Sequence, residues 1–279
     1  MTIKDCVKKF SSELKLVTHI PAKEVEILIM YLLDKNSIWL HLNYNNEFEK
    51  VQELEKLVKQ RATNYPLEYI IGKASFYGEQ FIVEQGVLIP RPETELLVDN
   101  CLEILKDLEK PVKILEIGVG SGIISVMLAL LVENIKIIAV DINPNALELA
   151  QKNAKKHNVL DKIEFRLSNL YENVLEDDIF MTISNPPYIA NDYKLPQNVE
   201  FEPKNALFGG IVGDELLKNI VKNTADRKIP YLLCEMGYDQ KASLESFFKT
   251  FSIEKYSFYK DYESFDRGFT IKFKKEKDV

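Results

Sequence analysis

Val112-Lys113-Ile114-Leu115-Glu116-Ile117-Gly118-Val119-Gly120-Ser121-Gly122 joins a β-leaning apolar run to three closely spaced glycines. Ile123–Val132 then continues as an apolar helical stretch. A strand, a tight glycine loop and a helix in that order open a parallel α/β unit. Alternation continues downstream, with Lys136–Val140 as a second strand, Pro144–His157 as an amphipathic helix and Ile163–Leu167 as a third strand. A fourth strand ends at Asn185, and 189–210 reads as a polar loop punctuated by Gly209-Gly210. A helix at Asp214–Thr224, a strand at Tyr231–Glu235, a helix at Gln240–Thr250 and closing strands around Ile253–Tyr259 and Phe269–Phe273 complete the pattern. Strands alternating with helices predict a parallel sheet covered on both faces.

Upstream of this unit the period is different. Residues 1–70 read as helical, with Val7, Phe10 and Leu14 on one face and Pro21 at the first position of a helix carrying Val25, Leu28, Ile29 and Leu32. Val51, Leu54, Leu57 and Val58 suggest a further helix, and Trp39 reads as core. Phe76-Tyr77-Gly78 and Gln80-Phe81-Ile82-Val83 alternate like strands, with Gly86 as the expected hairpin turn. Pro92, Glu93 and Glu95 form a good helix start, the two carboxylates read as capping groups, and Leu96, Leu97, Cys101, Ile104 and Leu105 carry that helix on.

Composition narrows the class. The chain has 279 residues, 46% hydrophobic and 28% charged, which suits a soluble globular protein. No apolar run approaches the roughly 18 residues that span a bilayer, and Met1–Cys6 lacks a basic-then-apolar leader pattern. Cys6, Cys101 and Cys234 are isolated and read as buried thiols in a reducing cytoplasm. His19, His41 and His157 have no metal-ligand spacing, so no metal is expected. A net charge of −7 argues against a partner held by diffuse attraction to phosphates. Residues 1–70 carry ten Lys and Arg against ten Asp and Glu, so they are not a basic arm.

The glycine loop places its third glycine at Gly122, whereas a dinucleotide fingerprint would need it where Ile123 stands. The spacing instead suits S-adenosylmethionine, whose amino-acid moiety can lie along such a loop. Asp141 ends the next strand about twenty residues on, where an acid binds ribose hydroxyls; its bland reading is an N-cap for the helix at Pro144. Ser168-Asn169-Leu170 follows the third strand, where an adenine-contacting loop or a plain polar turn would lie.

Ile183-Ser184-Asn185-Pro186-Pro187-Tyr188 ends the fourth strand. Two prolines fix two φ angles and remove two donors, giving a rigid extended turn at the strand end where open α/β sheets bind ligands. The Asn185 side-chain oxygen and the Pro186 carbonyl both accept hydrogen bonds without ionising. Together they can hold a planar –NH₂ group while Tyr188 packs on its flat face. Alone, the same turn reads as strand punctuation.

These stretches resemble the class I S-adenosylmethionine-dependent methyltransferases of amino and amide nitrogens. Pro66–Gly72, Val87–Glu95, Ala206-Leu207-Phe208-Gly209-Gly210 and Asp266-Arg267-Gly268 narrow the resemblance to the PrmC/HemK family, which methylates the Gly-Gly-Gln glutamine of class 1 peptide-chain release factors. The resemblance covers nearly the whole chain, more weakly in the first sixty residues. It departs at Asn169, where that family often has an acid.

The resemblance implies a Rossmann-like class I methyltransferase sheet of about seven mostly parallel strands, a helical substrate-docking domain at 1–70, a β-hairpin linker at 71–90 and a methyltransferase domain at 91–279. It implies S-adenosylmethionine as cofactor, with S-adenosylhomocysteine as product. Gly118, Val119, Gly120, Ser121, Gly122, Asp141, Asn169, Leu170 and Asn185 would bind it. Asn185, Pro186, Pro187 and Tyr188 would hold the substrate, with Asn185, Pro186 and Tyr188 at the chemistry. A release factor is then the expected partner, in the cytoplasm, with no membrane or direct nucleic acid. An N6-adenine methyltransferase would use the same turn on an extruded base, but the acidic balance counts against it. A catalytically silent S-adenosylmethionine-binding protein is opposed by the intact Asn185 and Tyr188.

Overall fold

The computed structural model describes residues 1–106, 108 and 110–274. Residues 107, 109 and 275–279, which the expected methyltransferase domain includes, lie outside the described residues. The chain divides into two compact units, the first made of Met1–Lys73 with Leu195–Phe201, the second of Ala74–Lys194 and the described residues from Glu202 on.

The first unit is helical. It comprises α1 (Ile3–Ser11), α2 (Pro21–Leu33), α3 (Ser37–Leu42), α4 (Val51–Ala62) and α5 (Leu67–Ile71). Thr2 starts α1 with a reciprocal cap: its Oγ1 accepts the Asp5 N–H at 3.1 Å, and Asp5 accepts the Thr2 N–H at 3.2 Å. Phe10, Leu14, Leu28, Ile29, Leu54 and Val58 form its core, with Trp39 packed half-buried against it. Arg61 on α4 and Glu24 on α2 make a buried pair at 2.7 Å that no apolar periodicity announces. Leu195–Phe201 joins this unit from the stretch expected to be a polar loop, and Phe201 sets its ring edge-on to Tyr65 at 5.2 Å.

The second unit begins within β1 (Lys73–Phe76), which makes a two-stranded sheet with β2 (Glu79–Ile82). The sequence expectation put its turn at Gly86. The turn is instead Tyr77-Gly78, where φ values of 53° and 80° give the two left-handed residues of a tight hairpin. Then follow α6 (Glu95–Leu105), β3 (Val112–Ile117), α7 (Ile123–Leu131), β4 (Ile135–Asp141), α8 (Pro144–Lys156), β5 (Ile163–Leu167) and β6 (Ile179–Ser184). The chain goes on through β7 (Ile189–Ala190), β8 (Phe208–Gly210), α9 (Glu215–Asp226), β9 (Tyr231–Glu235), α10 (Lys241–Phe248), β10 (Ile253–Lys260) and β11 (Asp266–Phe273).

Seven strands make the main sheet in the order β10-β11-β9-β6-β3-β4-β5. The pairs from β9 to β5 are parallel, and β11 runs antiparallel to both β9 and β10. Period-2 alternation divides the strand side chains between two cores. Ile114, Ile137, Ile183 and Leu233 pack towards α6, α7 and α8, whereas Leu115, Ile138, Leu232 and Cys234 pack towards α9 and α10. From β3 the chain crosses to β4 and β5 on one side, then returns to β6 and β9 on the other. The crevice at that reversal opens over the C-terminal ends of β3, β4 and β6.

The expected loop at 189–210 needs one correction. Gly209-Gly210 is not mere punctuation but part of β8, which pairs in parallel with β7. The sequence hid it because the strands are two and three residues long. Gly209 is required for close approach, since a Cβ there would stand 2.4 Å from the Pro187 carbonyl oxygen.

Candidate active site

A cavity of about 350 Å³ opens over that crevice in the second unit. Strand ends deliver residues to it: Gly118 and Gly120 after β3, Asp141 at the end of β4, Asn169 and Leu170 after β5, and Asn185, Pro186 and Pro187 after β6. The size is within the range that holds a cofactor, roughly 300–1,000 Å³.

The glycine loop is locked to the neighbouring strand by its own backbone. Gly118 and Val119 donate to the Val140 carbonyl at 2.8 and 3.0 Å, and Gly120 donates to Asp141 Oδ2 at 2.9 Å. Asp141 Oδ1 accepts the Asn143 N–H at 2.8 Å. Asp141 therefore does not cap α8. Asn143 does, accepting the Asn145 N–H at 3.0 Å, and its Nδ2 donates to the Gly86 carbonyl at 3.1 Å. Burial pushes the Asp141 carboxyl up, and the backbone N–H groups of Gly120, Asn143 and Ile142 pull it partly back. A carboxylate has about four lone-pair sites, so capacity remains for a hydroxyl-bearing ligand.

Val119 and Ser121 line a smaller adjoining cavity of about 40 Å³ shared with Glu116, Thr94 and Asn185. Glu116 is 1% exposed; its Oε2 accepts both the N–H and the hydroxyl of Ser125, and its Oε1 has no hydrogen-bond partner among the described residues. Burial pushes this carboxyl up to about 8. Gly122 lines neither cavity and packs its backbone against Ala150 of α8.

After β5, Asn169 Nδ2 donates to Glu172 Oε1 at 2.8 Å, which commits its nitrogen rather than its oxygen. Leu170 lines the cavity with φ at 49°, a left-handed conformation that costs a branched side chain about 1–2 kcal/mol. Ser168 holds this turn, donating to the Leu170 carbonyl at 3.0 Å and accepting the Asn173 N–H at 3.0 Å.

Asn185 lines both cavities. Its Nδ2 donates to Thr94 Oγ1 at 3.1 Å, and Thr94 Oγ1 donates to Glu235 Oε2 at 2.7 Å. Tyr188 is not among the residues around the larger cavity. Its hydroxyl turns away to donate to Glu235 Oε1 at 3.0 Å, and its ring packs against the core beneath α9 and α10. Burial raises the carboxyl of Glu235, which is 1% exposed, and also raises the Tyr188 phenol.

Sequence reasoning missed Thr94, Glu235 and the far wall of the cavity. That wall comes from Pro203, Asn205, Ala206 and Phe208, and Glu202 anchors it by accepting the Ile89 N–H at 3.0 Å and pairing with Arg91. The signal for Glu235 was present, as a carboxylate closing an otherwise apolar strand. Glu93 and Glu95 were expected to cap α6, yet that helix has no side-chain cap, and Glu95 Oε1 accepts the Tyr77 N–H at 2.6 Å instead. Among the described residues no group of three or more His, Cys, Asp or Glu is placed to hold a metal. Among the same residues no helix is long and apolar enough to cross a membrane.

Residues 5–72 match the family model of the PrmC N-terminal domain, and residues 93–200 match that of the methyltransferase small domain. The release factor glutamine methyltransferase of Aquifex aeolicus is 34% identical over 95% of this chain and 93% of its own length. That of Dictyoglomus turgidum is 44% identical over 71% of each chain. Among solved structures, the N-terminal domain of human METTL16 in complex with SAH superposes with a TM-score of 0.54 at 15% identity, covering 88% of this chain and 94% of that one. At that identity the likeness speaks for the fold alone.

Proposed function

The chain belongs to the release factor glutamine methyltransferase family, and from that membership we propose the reaction it performs. It transfers a methyl group from S-adenosylmethionine to the side-chain amide nitrogen (N5) of the glutamine in the Gly-Gly-Gln motif of class 1 peptide-chain release factors. The observation that carries this reading is the convergence of Asn185, Pro186, Asp141 and the glycine loop on one apolar cavity.

The donor set fits S-adenosylmethionine. Asp141 has lone pairs left for ribose hydroxyls, and Glu116 carries a buried oxygen without a partner among the described residues, suited to the cationic amino-acid end. Asn169 and Leu170 would border the adenine, and the Gly118–Gly122 backbone would lie along the amino-acid moiety. The cofactor supplies an electrophilic methyl group on a sulfonium.

The chain's residues then have a positioning task. A glutamine amide nitrogen is a weak nucleophile because its lone pair is delocalised into the carbonyl. Asn185 Oδ1 and the Pro186 carbonyl accept its two N–H bonds, which aims the nitrogen and stabilises the positive charge it gains as the new N–C bond forms. Orientation and exclusion of water can supply on the order of 7–11 kcal/mol in favourable cases. No general base is required beforehand, because the nitrogen's proton becomes acidic only as that bond forms and then leaves to solvent. The helical unit contributes to docking the release factor, and the reaction takes place in the cytoplasm.

The test is methyl transfer from labelled S-adenosylmethionine to a purified class 1 release factor, with the motif glutamine intact or replaced, and in parallel to DNA and ribosomal RNA. Label only on the intact factor is expected. Label on nucleic acid instead would mean that the same turn serves an exocyclic base amine.

A further inference from the structure

Ser184 pairs with Cys234 across β6 and β9, so Asn185, the first residue past β6, lies beside Glu235, the last residue of β9. Thr94, from the turn before α6, bridges them. Asn185 Nδ2 donates to Thr94 Oγ1 (3.1 Å), Thr94 Oγ1 donates to Glu235 Oε2 (2.7 Å), and Tyr188 donates to Glu235 Oε1 (3.0 Å). The direction of these bonds follows from chemistry. With Glu235 ionised, its carboxylate only accepts, so both hydroxyls turn their protons to it. Thr94 has then used its one proton and meets Asn185 with lone pairs alone. The Asn185 amide must present its nitrogen to Thr94, which leaves Oδ1 for the cavity.

We propose that Thr94 and Glu235 are positioning residues for methyl transfer: Glu235 sets the proton order of Thr94, and Thr94 sets which end of the Asn185 amide faces the substrate. This rests on the function proposed above and deepens it. A flipped amide would point N–H donors at a substrate –NH₂ and lose the acceptor that the reaction uses. Water cannot replace the relay, because Thr94 is 0% and Glu235 1% exposed. Burial works against the charge on Glu235, and the two hydroxyls and the Arg267 guanidinium work for it.

The experiment measures kcat and KM for the release factor at pH 8, with S-adenosylmethionine affinity by calorimetry, in Thr94→Val, Thr94→Ser and Glu235→Gln. Thr94→Val should lower kcat about 10- to 100-fold. KM for the factor and cofactor affinity should stay within about twofold, the pattern of an interaction used only in the transition state. Thr94→Ser, which keeps the hydroxyl, should restore kcat. Glu235→Gln, nearly isosteric, should lower it, because an amide at 235 can donate to Thr94 and free the Thr94 proton for Asn185. Unchanged kcat in Glu235→Gln, or Thr94→Ser as slow as Thr94→Val, overturns the proposal, and those two variants decide it if Thr94→Val fails to fold.

A readout without substrate separates the two layers. The Asn185 side-chain amide protons, assigned in ¹⁵N spectra by their loss in Asn185→Asp, should exchange slowly in the wild type and faster in Thr94→Val or Glu235→Gln. Wild-type protein that leaves the release factor unmethylated refutes the function, and the amide exchange still decides the relay. Exchange that is the same in all three proteins refutes the relay.

Discussion

Asp141 Oδ2 accepts the Gly120 N–H at 2.9 Å, so one carboxylate both clamps the glycine loop to β4 and faces the cavity. Under the proposed function, its removal should weaken cofactor binding twice, by taking away an acceptor proposed for the ribose and by loosening the loop. Charge-assisted hydrogen bonds contribute roughly 1.5–3 kcal/mol. Asp141→Ala should thus weaken S-adenosylmethionine about 10- to 100-fold by calorimetry, with Asp141→Asn between it and the wild type. An affinity unchanged in Asp141→Ala would remove the residue from the cofactor site.

Glu116 gives a pH signature of the ligand-free fold. The group ionises near 4.5 in the unfolded chain and near 8 in the fold, so the folded state holds the extra proton between those values. Its stabilising contribution is complete below about pH 4.5 and is lost as pH rises to about 8. The full loss amounts to at most about 5 kcal/mol. Urea unfolding at pH 5, 6.5 and 8 should show stability falling across this window in the wild type. Glu116→Gln should flatten the fall and be the more stable protein at pH 8.

Arg91 and Glu202 hold the far wall of the cavity to the segment that starts α6. Glu202 is 4% exposed, so removing its guanidinium partner strands a buried carboxylate. Breaking a buried pair costs about 3–5 kcal/mol, and the partial exposure of Arg91 brings the expected loss for Arg91→Ala nearer to 2–3 kcal/mol. Adding Glu202→Gln to Arg91→Ala should recover part of that loss, as read by a double-mutant cycle in urea. A double variant that loses the sum of the two single costs would show that the pair is not coupled.

How legible the site was depends on the range of the signal. The glycine loop, Asp141 and Asn185 each end a strand whose apolar run and following turn are visible within about ten residues of sequence. Topology then brings the strand ends together without further information. Glu235 also ends a strand, but its partners Thr94 and Tyr188 lie 141 and 47 residues away, so nothing local identifies it as part of a relay. Tyr188 shows the same limit from the other side. The motif placed it on the substrate, whereas the ring is committed to the core and its hydroxyl to Glu235. The hairpin turn was misplaced for a different reason. Gly86 and Gly78 are both glycines with φ near 90°, and only the pairing of β1 with β2 selects between them.

Gly268 explains a motif that the sequence could flag only by resemblance. It lies between Glu235 on β9 and Tyr259 on β10 in the sheet register. A Cβ at 268 would stand 2.2 Å from the Tyr259 hydroxyl and 2.5 Å from the Cys234 carbonyl oxygen. The carbonyl belongs to the ladder and cannot withdraw without breaking it, and the Tyr259 hydroxyl is buried. Overpacking of this kind costs about 1–3 kcal/mol, so Gly268→Ala should lose at least that much in urea unfolding. The Tyr259 hydroxyl has no hydrogen-bond partner among the described residues, and an unsatisfied buried hydroxyl costs about 1–3 kcal/mol. Tyr259→Phe should therefore be neutral or more stable than the wild type, the opposite sign from Gly268→Ala. It should relieve only part of the Gly268→Ala loss, because the ring carbon beneath the hydroxyl would still stand 2.3 Å from the new Cβ. A destabilised Tyr259→Phe would mean that the hydroxyl is hydrogen-bonded in solution.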